Sequence, residues 1–143
     1  MNTAYTLHKM ATVIDLNGLH RGNQFAEPGI LPRLDICAIA YVLAERLTPD
    51  RYPAEFFTDE VASLTLIEAS AGAMAAIRAI STALDTEPCE TEIEPGTRVP
   101  DYIEHVSNWA ATRAPFSSAP PTTSEVIGRI LRAAQQLTNQ TAA

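Results

Sequence analysis

Lysine is almost missing from this chain: Lys9 stands against nine arginines. Basic residues number 10 in all against 17 acidic ones, a formal net charge of −7. A surface of that sign repels phosphate backbones, which excludes sequence-independent nucleic-acid binding as a leading function. Cysteine is scarce as well. Cys37 and Cys89 are too few for a disulfide framework, and Cys37 falls in an apolar helical pattern, where a free thiol packs as a small hydrophobe. No apolar run approaches the roughly 18 residues that span a bilayer. Residues 1–18 show no basic region followed by an apolar stretch and a cleavage site, so a cytoplasmic protein is expected.

Catalytic and metal-binding patterns are missing too. His8, His20 and His105 form no ligand-spaced pair, and there is no C-x-x-C or H-E-x-x-H. Glu104 and His105 are adjacent, so on a helix they diverge by about 100° and do not share a metal easily. No G-x-S-x-G elbow or phosphate-binding glycine loop occurs. The sequence therefore assigns no catalytic residue, no metal site and no cofactor.

What is present is a globular composition, 46% hydrophobic and 19% charged, over 143 residues. That fits one domain, residues 1–143, with a loose tail from about 139. Periodicity predicts helices almost throughout. Leu7, Met10, Ala11, Val13 and Ile14 mark the first, which Asn17-Gly18 stops. Residues 18–33, rich in glycine and proline, read as a long loop. Ile36, Ile39, Ala40, Leu43 and Leu47 mark a second helix opening near Leu34 or Asp35 and closed by Thr48-Pro49-Asp50.

Thr58 or Asp59 can cap a third helix, with Val61, Leu64 and Ile67 inward. Ser70-Ala71-Gly72 offers a break before the stripe Met74, Ile77, Ile80, Ala83 and Leu84. Pro100 suits the first position of a short helix carrying Tyr102, Ile103, Val106 and Trp109. Thr122 and Glu125 stand in the relation of a capping box, ahead of Ile127, Ile130, Leu131, Ala134 and Leu137. No run of period two stands out. The expected fold is all-α, five or six helices around one core.

Acid is concentrated in one place. Residues 85–100 read as an acidic linker, with Asp85, Glu87, Glu90, Glu92 and Glu94 in its first ten positions. Such a segment steers a protein toward a basic partner surface, and its four glutamates are candidate contact residues. His20 and Arg21 make the long loop rich in hydrogen-bond donors. Trp109, the only tryptophan, lies before a bend holding Pro115, Pro120 and Pro121, over which the last helix is expected to fold back on the ring. His20, Arg21 and Trp109 are thus candidates for a small-molecule or nucleotide pocket. The helices at 100–112 and 123–138 are too far apart for a helix-turn-helix, and Arg129 and Arg132 are a thin DNA footprint.

Three segments resemble a known family. They are Asn17-Gly18-Leu19-His20-Arg21-Gly22, Asp35-Ile36-Cys37-Ala38-Ile39-Ala40, and Trp109 followed by Thr123-Ser124-Glu125-Val126-Ile127. They resemble the Gly-Trp-x-x-Gly, Cys-x-x-Gly-Ala and Trp-Asn-Asp…Thr-x-x-Glu-Val segments of small actinobacterial and phage proteins, the domain of unknown function 6197. Leu19 stands where that family has tryptophan, and Ala110-Ala111 replace Asn-Asp. The resemblance implies an all-helical protein of actinobacterial or phage source and no established activity. The leading expectation is a non-catalytic protein-interaction or regulatory protein, a modulator of a host protein, acting as a monomer or a homo-oligomer. The alternative is the pocket at His20, Arg21 and Trp109.

Overall fold

A computed structural model describes residues 2–112 and 119–142. Helix α1, Thr3–Asn17, opens where the Asn2 side chain accepts a hydrogen bond from the Tyr5 amide at 2.7 Å. It ends at Gly18, whose φ of 81° suits glycine. Helix α2, Ile36–Ala44, is capped by Asp35 and lies at the centre of the protein. Ile36, Cys37, Ala38, Ile39, Ala40 and Val42 are all buried, because α1, α5 (Ala71–Ala83) and α6 (Tyr102–Ala111) pack around it.

Between α2 and α5 run a 3₁₀ turn, Pro49–Arg51, the single turn α3, Glu55–Thr58, and α4, Glu60–Glu68. Asp59 caps α4 and Ser70 caps α5, each accepting from an amide three residues on. The two helices are bent 95° apart at this break, so residues 58–84 form two helices. Val61, expected inside, is 75% exposed; the bend turns its face of α4 away from the core. Among the described residues no single helix is long and apolar enough to cross a membrane.

The all-α expectation is overturned. Among the described residues there are seven α-helices and two small two-stranded antiparallel sheets. Strands β1, Ala26–Glu27, and β2, Arg33–Leu34, pair inside the supposed long loop. Strands β3, Glu90–Glu94, and β4, Thr97–Pro100, turn the supposed acidic linker into a hairpin around Pro95-Gly96. Gly96 has a φ of 83°, a turn conformation that glycine adopts without strain. Pro100 therefore ends a strand instead of opening a helix, and Asp101 caps α6 through the Glu104 amide.

The last helix, α7, Thr123–Ala142, starts with the expected capping box. The Glu125 amide donates to Thr122 Oγ1 at 3.1 Å, and the Thr122 amide donates back to Glu125 Oε1 at 3.4 Å. The helix includes residues 139–142, assigned above to a tail. It packs chiefly on α1 and α5 rather than on the Trp109 helix: Val126, Ile130, Ala133 and Ala134 enter the core. The bend expected before it lies largely on residues 113–118, outside the described residues.

Candidate functional site

Two places gather chemistry. The first is a cavity of about 450 Å³ between α6 and the segment that leads from α1 into α2. Asp35 is its most buried charged wall, 8% exposed. Its Oδ2 accepts from the Cys37 amide at 2.8 Å, which is the helix cap, and from the Ser107 hydroxyl at 2.9 Å. The cap fixes the carboxylate against α2, and Ser107 reaches it from the neighbouring α6. Burial pushes its pKa up from 3.8 to about 6, opposed by the Cys37 amide, the Ser107 hydroxyl and the charge of His20.

Glu60, Asp101 and Glu104 add three more carboxylates to the walls, while Phe25, Leu64 and Ile103 supply apolar surface. Glu60 Oε1 accepts from the Gln24 amide at 2.9 Å, in a loop where Gln24 takes a φ of 67°. Arg21 also lines the cavity, but its Nη1 donates to the carbonyls of Ala110, at 3.1 Å, and Pro121. It therefore closes the carbonyl end of α6.

Of the three residues proposed as a pocket, only Arg21 lines this cavity. His20 turns into its own loop, with Nε2 2.7 Å from the Asn23 carbonyl oxygen and Nδ1 3.7 Å from Glu27 Oε2. Trp109 is half-buried against the core, on a part of α6 that is not among the cavity walls. Asp35, Ser107 and Glu60 are the site residues that sequence reasoning missed. Cys37 is buried beside them, 3.2 Å from Ser107 Oγ, and burial together with the Asp35 charge raises its thiol far from a reactive thiolate. His105 is buried with its ring nitrogens 2.7 Å from Ser81 Oγ and 2.8 Å from Thr86 Oγ1. Burial lowers its pKa, and it joins α6 to α5 as a neutral hydrogen-bonding post.

The second place is the β3–β4 hairpin, of which every residue is exposed. It is tied to the body at its base, where the Asp101 amide donates to the Cys89 carbonyl at 2.7 Å and Thr91 donates to Asp101 Oδ2 at 3.0 Å. Glu90, Glu92 and Glu94 ride on β3, and Glu87 is exposed just before it. Ile93, at a register shift, is 62% exposed. Asp85 differs from these glutamates. Arg129 meets it with both guanidinium nitrogens, at 3.2 and 3.3 Å, and also donates to the Ala83 carbonyl. That contact removes Arg129 from the thin basic footprint on α7.

No family model, curated protein or solved structure matches this chain. The segments that carry the resemblance stated above fall on helix boundaries. Asn17-Gly18 closes α1, Asp35 opens α2, and Thr123 opens α7.

Proposed function

We propose that this protein is a non-catalytic interaction protein that meets a basic partner surface through its acidic hairpin. The observation that carries this reading is the exposure of all nine strand residues of the hairpin, together with the exposed glutamates at positions 87, 90, 92 and 94. A two-stranded hairpin is marginal in water when nothing covers it. This one buries no side chain of its own, so a covering partner is what would stabilise it. Its strands have open edges, and a segment with lysine or arginine at alternate positions would add main-chain bonds to the charge attraction. A modulator of a host protein, the role expected from the sequence, would act in this way.

The test is affinity capture from a lysate with the wild-type protein and with Glu87, Glu90, Glu92 and Glu94 all changed to Gln. A basic protein held at low salt, released at high salt and lost by the variant supports the reading. Identical captures by both forms overturn it, since screening and neutralisation must both weaken a charge-steered contact.

A further inference from the structure

The cavity beside α6 has no part in hairpin docking, and its chemistry points to a different ligand. Asp35 is more than nine-tenths buried, and no basic side chain among the described residues forms an ion pair with it. Its hydrogen bonds from the Cys37 amide and Ser107 hydroxyl come from neutral groups. His20 attracts it only through space, without contact. A buried carboxylate with no counter-charge in contact is costly, and a cation that reaches it relieves that cost. The rest of the wall has the same sign. Glu60, Asp101 and Glu104 surround the cavity, and the guanidinium of Arg21 is bound to two carbonyls. Phe25, Leu64 and Ile103 give the cavity an apolar side, and its volume of about 450 Å³ lies in the range of small-molecule sites.

We infer that this cavity binds a small organic cation, a primary ammonium or guanidinium on an apolar body, with the charged head on Asp35. The head donates to the Asp35 carboxylate, and the apolar body lies along Phe25, Leu64 and Ile103. An anionic or phosphate-bearing ligand is repelled by the three remaining carboxylates. The arrangement is a binding site, and no bond is made or broken in it.

The experiment uses three probes of one shape on the full chain: phenethylamine, phenethyl alcohol and phenylacetate. Amide shifts are followed by two-dimensional NMR. Only the amine should move the amides of Phe25, Ser107 and Asn108 in a saturable way. Asp35→Asn retains an oxygen for both hydrogen bonds and should weaken amine binding about tenfold or more, the worth of one charge-assisted contact. Ala111→Trp, at the cavity wall on the last residue of α6, should block the amine without touching the helix cap. It decides the matter if the Asp35 variant fails to fold. Equal binding of amine and alcohol, or amine binding unchanged in Ala111→Trp, overturns the inference, and so does no amine shift up to millimolar concentration. The four-glutamine hairpin variant should bind the amine as the wild type does, so this result stands or falls apart from the partner reading.

Discussion

The hairpin and the cavity use the same side-chain chemistry to opposite effect. On β3 the carboxylates of Glu90, Glu92 and Glu94 are exposed, so in the unpartnered protein water solvates each of them. In the cavity, Asp35 has exchanged water for a helix cap and a serine hydroxyl, and its charge is a standing cost to the fold. An exposed carboxylate acts at a distance and is interchangeable with its neighbours. A buried one acts at contact and cannot be moved. The first kind suits steering, the second recognition.

The two kinds of carboxylate part most clearly with pH. The Asp35 pKa is raised from 3.8 to about 6, so between those values the native state holds a proton that the unfolded chain has released. That preference adds stability in acid and is lost as pH rises through about 6, which leaves a penalty of about 3 kcal/mol at neutrality. Asp35→Asn should therefore be the more stable protein at pH 7, and its advantage should shrink by about 2 kcal/mol on going to pH 4. Denaturant titrations at the two values measure it, and a constant gap would show that Asp35 is solvated. His105 works the other way. Its pKa is lowered by burial, so the unfolded chain takes the proton first, and stability falls as pH drops below 6.5. In the wild type the two slopes oppose each other, and in Asp35→Asn the histidine slope should remain, joined at lower pH by a loss from Asp85, whose pKa Arg129 holds down.

A smaller effect is expected at Trp109. The ring is half-buried against the core, and α7 packs chiefly elsewhere, so Trp109→Ala should cost about 2 kcal/mol, less than the 3–5 of a fully enclosed tryptophan. A thermal melt gives the value. The smallest effect belongs to the hairpin. Changing its glutamates to Gln should move stability by no more than about 0.5 kcal/mol, since no buried contact is lost. Gly96→Ala, at a φ of 83°, should loosen the turn and speed hydrogen exchange in β3 and β4 while leaving α2 and α5 protected. Equal acceleration in those helices would mean that the hairpin and the body open together.

The parts of this structure legible in the sequence were those whose physics is local. Asn17-Gly18, Asp35, Asp59 and the Thr122–Glu125 box act within four residues, and each marks a real helix end. The hairpin was hidden by its composition. Thr91 and Ile93 alternate with glutamates, and Pro95-Gly96 supplies a turn, but neither face meets a core, so no apolar alternation announces a strand. The cavity could not be seen at all. Asp35 and Ser107 are 72 positions apart, and only the packing of α6 on α2 brings them to hydrogen-bonding distance. Val61 shows the reverse failure, a residue that fits the stripe and still faces water because α4 turns away from α5.

Arg21 and Arg129 have a consequence of another kind. Arg21 grips Pro121, just ahead of α7, and Arg129, on α7, grips Ala83 and Asp85, while the helix itself lies on α1 and α5. The covalent link from α6 to α7 is thus one tie among several. A cut in the link between α6 and α7 should therefore leave two pieces that can still find each other, the behaviour a split-protein reporter needs.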